Sequence, residues 1–176
     1  MTAYLKKSYQ PVGLLARRGF TLIELLIVMA IIGVLAVVVL VAINPAEQLK
    51  RARDTGRISG VQQIGRAAAA YYTANSELPG VAGTWNSELV NSKELTVIPA
   101  GVAYTTGGAC AGAVNNTWCY ADNGTDHFVV YATLESDQRI NQCGVGSTPY
   151  TVFSSYDSKG GIVCSVPSAG VSLIYI

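Results

Sequence analysis

The side chains in this 176-residue sequence best suited to chemistry are four cysteines, one histidine and a pair of aspartates. Cys110, Cys119, Cys143 and Cys164 all fall in the C-terminal part, and none is spaced Cys-x-x-Cys. Such an even set reads as two disulfides in an exported domain, whereas a reducing compartment would sooner suggest metal or redox work. Three connectivities are open. Cys110–Cys119 with Cys143–Cys164 is preferred, because each closes a local loop and neither needs a threaded path. A zinc site with His127 as a further ligand is the alternative, on pairs poorly spaced for one. Asp122 and Asp126 enclose Asn-Gly-Thr between two strand-like runs. That stretch reads as a hairpin turn built on Asn-Gly, with a calcium loop using both carboxylates as the alternative. Asn115 and Asn123 stand in Asn-x-Thr sequons. Neither a nucleophile elbow nor a phosphate loop is present, so no catalytic site and no cofactor are expected.

A carboxylate of another kind, Glu24, sits inside an apolar run from Phe20 to Ile43. Those 24 residues would extend about 36 Å as a helix, against a hydrocarbon core of about 30 Å. The run can span a bilayer. An acid at the middle of a membrane helix costs roughly 2.5–3.5 kcal/mol on insertion scales, and less near an end. Glu24 lies four residues past Phe20, about 6 Å along the axis. It can reach back to the interface, where Arg17 and Arg18 are partners.

Gly19-Phe20, Glu24 and Gly33, within Gly19-Phe-Thr-Leu-Ile-Glu-Leu-Leu-Ile-Val-Met-Ala-Ile-Ile-Gly33, resemble the start of a type IV prepilin or a type II secretion pseudopilin. The resemblance covers about the first third of the chain. It implies removal of a basic leader, residues 1–19, by a membrane peptidase that cuts between Gly19 and Phe20 and then N-methylates Phe20. Unlike an ordinary signal peptide, such a leader leaves the apolar helix with the mature protein. The resemblance also implies that Glu24 pairs with the terminus of a neighbouring subunit and sets the stagger of a filament. An ion pair buried in a bundle is better evidence for register than for stability. Gly33 matches the family's helix glycine. The family's proline falls at the position of Val41, so Pro45 stands one helical turn later, and the family's melted boundaries do not carry across. Gly33 and Pro45 bracket a segment expected to be helical in the membrane and to melt partly on assembly.

Formal charge is +1, but Lys6, Lys7, Arg17 and Arg18 all lie in the leader, which has no acid. Removing residues 1–19 takes Lys+Arg from 12 to 8 against 11 acids, leaving a balance of −3. Nucleic-acid binding by phosphate neutralisation is not signalled. Four basic residues precede the apolar run and four follow it closely (Lys50, Arg51, Arg53, Arg57), so the positive-inside count is a tie. The exported reading of the cysteines breaks it, with the N-terminus inside and the C-terminal domain outside.

The predicted fold is α+β: a long N-terminal transmembrane-capable helix continuing into one globular domain, whose C-terminal half is a small antiparallel sheet packed on the helix, as in type IV pilins. Residues 20–43 form the membrane and assembly helix, 44–75 its amphipathic continuation, and 76–176 the loop and sheet of the head. Pro45 suits a first-turn position, with Glu47→Arg51 and Lys50→Asp54 as pairs at four-residue spacing. Ile58, Val61, Gly65, Ala68 and Tyr72 trace one face, and Arg57, Gln62, Gln63 and Arg66 the other. The exit, Ala70-Tyr-Tyr-Thr-Ala-Asn-Ser-Glu-Leu-Pro79, resembles that of pilins and major pseudopilins. A short helix is expected over Ser87–Asn91, with Trp85 as a core lid. Strands are expected at Val97–Thr105, Thr117–Ala121, His127–Leu134, Tyr150–Ser154, Gly161–Val166 and Val171–Ile176, the third half-buried by its alternation.

Taken together, these readings point to a structural subunit that waits in the cytoplasmic membrane and then polymerises into an extracellular or periplasmic filament. Its partners would be its own copies, the prepilin peptidase and the assembly machinery. A major pseudopilin is the alternative, followed by a minor tip pilin, a DNA-uptake subunit, or a tethered domain that never polymerises. Cysteines favour the pilin, since major pseudopilins usually lack them, and Cys143–Cys164 resembles the C-terminal disulfide loop of many pilins.

Overall fold

The computed structural model describes residues 19–80, 83–102, 104, 110, 113–115 and 118–176. It divides into two compact units, Met1–Ile43 and Asn44–Ile176. The described part of the first is one helix, α1 (Leu22–Ala42). Gly33 lies inside α1 without interrupting it.

The second unit opens with α2 (Pro45–Asn75). Its start follows from local chemistry. Asn44 is left-handed (φ 43°), a region asparagine tolerates better than most residues, and its side chain accepts the Glu47 N–H, while Pro45 fills the first helical position. Ser76, also left-handed at φ 58°, ends the helix. Then come α3 (Trp85–Asn91), β1 (Ala113–Asn115), β2 (Trp118–Asp122), β3 (Phe128–Thr133), α4 (Asp137–Cys143), β4 (Tyr150–Ser154) and β5 (Lys159–Val163). The strands form one antiparallel meander in chain order, with β3 at the centre.

Both faces of this sheet are covered. On one, Phe128, Val130 and Ala132 meet Val61, Ile64 and Ala68 of α2 and Trp85 and Leu89 of α3. On the other, Val129, Tyr131 and Val152 lie with Cys110, Val163 and the C-terminal Leu173 and Tyr175. The half-buried reading of β3 is therefore corrected: alternation distinguishes two buried faces here, because the chain end covers the second. Trp85 is fully buried and stacks on Tyr120 at 5.6 Å.

Other expectations change too. No strand forms over the described part of Val97–Thr105, where the Pro99 carbonyl accepts the Trp118 indole N–H at 2.9 Å. Residues 103 and 105 lie outside the described set. Val171–Ile176 is not a strand but contributes one bridge, Tyr175 to Val163. Arg57, expected on the polar face, is fully buried with acidic partners. Lys50 pairs with Asp137 at 2.6 Å, and Asp54 pairs with Arg57 instead.

Gly60 and Gly65 let α2 lie close on the sheet: a Cβ at Gly60 would overlap the Trp118 ring, and one at Gly65 the Phe153 ring. Overpacking of this kind costs about 1–3 kcal/mol. Gly60→Ala should therefore lower the denaturant midpoint of the head despite the better helix propensity of alanine. An unchanged or raised midpoint would show that the interface has room to spare.

Candidate functional site

Unit Met1–Ile43 places Glu24 in the first turn of α1. Thr21 is the N-cap, with extended backbone, and its Oγ1 accepts the Glu24 N–H at 3.2 Å. Glu24 Oε2 in return accepts the Thr21 N–H at 2.9 Å and the Thr21 hydroxyl at 2.8 Å. This is a capping box, which satisfies two of the helix's orphan donors reciprocally. The carboxylate also stands at the positive end of the helix dipole. Its Oε1 takes no hydrogen bond among the described residues. One oxygen is thus fixed within the chain and the other stays open, a turn away from Phe20.

Beyond Glu24, α1 carries only apolar residues and glycine, on every side, and none of them is buried. Phe20 is 77 % and Leu22 89 % exposed. A surface helix of a water-soluble domain would show a polar face; this one has none. At 21 residues it is long and apolar enough to cross a membrane. A shallow apolar groove lies along Ala30, Ile31, Val34 and Leu35, and the surface at Gly33 is open. Such a surface has no catalytic chemistry of its own. It can only be covered.

Unit Asn44–Ile176 holds a second charged constellation. Asp54 Oδ1 accepts from the buried Arg57 at 2.9 Å and from the Glu135 N–H at 3.0 Å, while its Oδ2 accepts the Ser136 N–H at 2.9 Å. Arg57 also reaches Glu135 Oε1 at 3.1 Å and lies 3.8 Å over the Tyr104 ring. Arg53 joins the same Glu135 carboxylate. Glu47 accepts the Asp137 N–H at 3.1 Å. Acids of α2 thereby cap α4, whose own N-cap, Ser136, makes no side-chain cap bond. The hydrogen bond between Lys50 and Asp137 raises the ammonium's pKa and lowers the carboxyl's.

The predicted residues fall in separate places. Gly19 and Phe20 are exposed ahead of α1, and Pro45 starts α2. Arg17, Arg18 and the rest of the leader lie outside the described residues, as does Thr117 of the Asn115 sequon. The cysteines are joined Cys110–Cys119 and Cys143–Cys164, so none is a free thiolate for zinc. Asp122 accepts the Gly124 N–H, and Asn123 Oδ1 accepts the N–H groups of Thr125, Asp126 and His127. Asp126 takes the Asn123 amide and the Thr125 hydroxyl, and those bonds hold its carboxyl below the usual range. Both calcium candidates thus serve the turn's own donors. His127 stands edge-on to Tyr156 and 3.4 Å from Asp126.

Sequence reasoning missed the Thr21 partner of Glu24, although Thr-x-x-Glu before an apolar run is a legible N-terminal signature. It also missed Glu135, for which no local signal exists.

Residues 14–40 match the model of the prokaryotic N-terminal methylation motif. The chain is also similar to the fimbrial protein EcpC of Eikenella corrodens, with 37 % identity over 82 residues, covering 43 % of this chain and 52 % of that protein. The chain therefore spans about half the length of that relative. No solved structure matches it significantly.

Removing one member of a buried ion cluster leaves a charge uncompensated, at a cost of about 3–5 kcal/mol, whereas exposed pairs contribute little. Arg57→Ala should destabilise the head in urea by roughly that amount, and Lys50→Ala should leave its midpoint nearly unchanged. Equal midpoint shifts for the two variants would contradict the cluster's role.

Proposed function

We propose that this chain, whose N-terminal methylation motif and likeness to a fimbrial protein support a type IV prepilin family, is the structural subunit of a pilus-like filament. Peptidase cleavage between Gly19 and Phe20 removes the leader, and methylation follows at the Phe20 amine. Helix α1 first anchors the chain in the cytoplasmic membrane, with its N-terminus inside and the disulfide-braced head outside. It then leaves lipid for a bundle of its own copies, with the help of the assembly machinery.

The observation that carries this reading is the rod itself: apolar on all sides, wholly exposed, with one carboxylate oxygen open next to the amine that cleavage would create. A chain meant to stay monomeric in water would not present such a surface. Glu24 Oε2 is occupied by Thr21, so the free Oε1 is the position for the Phe20 amine of a neighbouring copy, and that pairing sets the axial stagger. Gly33 and Pro45 bound the part of the rod that adapts when lipid is exchanged for protein. The two disulfides favour a pilus subunit over a major pseudopilin.

Intact-mass analysis of sheared surface filaments should find a chain that begins at methyl-Phe20 and lacks four mass units for two disulfides. Recovery of only uncut, reduced chain from the membrane would overturn the proposal. Glu24→Ala should be processed normally yet give few or disordered filaments; normal filaments from it would rule out the register role while leaving the subunit reading intact.

A further inference from the structure

Asn123-Gly124 is the one Asn-Gly pair in the sequence, and it sits at the exposed tip between β2 and β3. The pair carries a reaction of its own. The Gly124 amide nitrogen attacks the Asn123 side-chain carbon and the new C–N bond closes a cyclic imide. The bond to the side-chain nitrogen breaks, and ammonia leaves with the proton that the attacking nitrogen gives up. Water then opens the ring to aspartate or isoaspartate, so no reactant besides water is needed. Glycine at the second position favours the attack, because it carries no Cβ and its backbone turns freely. The ring closes only where nitrogen and carbon come aligned to about 3–3.5 Å.

The turn ties down every group that this reaction must move. The Asn123 carbonyl oxygen accepts the N–H groups of Thr125, Asp126 and His127 at 3.1, 3.1 and 3.0 Å. Its amide nitrogen, the leaving group, donates to Asp126 Oδ1 at 3.1 Å. The attacking Gly124 N–H donates to Asp122 Oδ1 at 2.9 Å, which engages it elsewhere. Behind the carboxamide lies Gly170, where a Cβ would come within 3.1 Å of the Asn123 amide nitrogen. Beneath it, the Asn123 N–H donates to the His127 carbonyl at 3.0 Å and closes the hairpin. Each such bond is worth little alone, but swinging the carboxamide toward Gly124 breaks several together. Nor can the product rebuild them. An aspartate at 123 would set a second carboxylate against Asp126, where the amide now donates.

We propose that Asn123 is the chain's deamidation site, and that the hydrogen bonds of its own turn set the rate by holding the carboxamide away from Gly124. Reaction then proceeds only through the small fraction of molecules in which the turn is open. The turn belongs to the head, so the proposal stands apart from any role of α1.

Peptide mapping by mass spectrometry tests it. The full chain in detergent micelles and a linear peptide of residues 120–129 are incubated at the same mildly alkaline pH, and conversion of Asn123 is followed in both. The folded chain should convert at least about tenfold more slowly than the peptide. Asp122→Ala and Asp126→Ala should each move the folded chain's rate toward the peptide's. Asp126→Asn, which keeps an acceptor oxygen, should stay near the parent. Amide exchange on β3 separates opening of the turn from loosening of the whole head. Equal rates in chain and peptide would overturn the proposal. So would a slow parent that neither alanine variant quickens, or a quickening that only follows faster exchange at β3.

Discussion

A helix without a polar face cannot be left in water, and this constraint governs the molecule. Each large apolar side chain gains about 1.5–3 kcal/mol on burial. Summed along α1, that exceeds the roughly 5–15 kcal/mol that holds a typical domain folded. The rod therefore needs a cover at every stage of its life. The Thr21–Glu24 box matters in this setting because it satisfies the helix's entry from within the chain. Backbone donors left open there would be costly in an apolar surrounding. With two of them closed locally, the cover can change while the helix keeps its end.

The head solves a different problem, one of matching charges and surfaces. The basic residues that follow the apolar run do not form a free positive patch. Lys50, Arg51, Arg53 and Arg57 each face a carboxylate, from Asp137, Glu47, Glu135 and Asp54. Arg57 is buried because two acids and an aromatic face replace its water. The same acids take up the N–H groups at the start of α4. One cluster thus joins α2 to the chain between β3 and β4, although buried ion pairs favour a specific arrangement more than they add stability. The disulfides act elsewhere, one tying Cys110 to β2 and the other tying the end of α4 to the segment after β5.

Much of this was legible one residue at a time. The apolar run, Pro45 at the first position of α2, the short helix near Trp85 and the strands around Cys119, Val130 and Val152 follow from period, turn chemistry and local propensity. The errors share a cause. Helical spacing places Arg57 toward solvent, yet a partner 78 residues away holds it inside. Four-residue spacing matches Lys50 to Asp54 within its own helix, and the fold supplies Asp137 instead. Alternation in β3 implies one wet face, because nothing in the strand announces that Leu173 and Tyr175 lie over it.

By itself, then, the sequence determined what depends on near neighbours: a rod long enough to cross a bilayer, a carboxylate one turn from its start, the helix restart at Pro45, and the order of elements. Only the tertiary structure decided which charges are buried, which oxygen of Glu24 stays open, and that the chain's end lies over β3. Those outcomes depend on distances between groups far apart along the chain or on side-chain geometry, and neither residue type nor period encodes them.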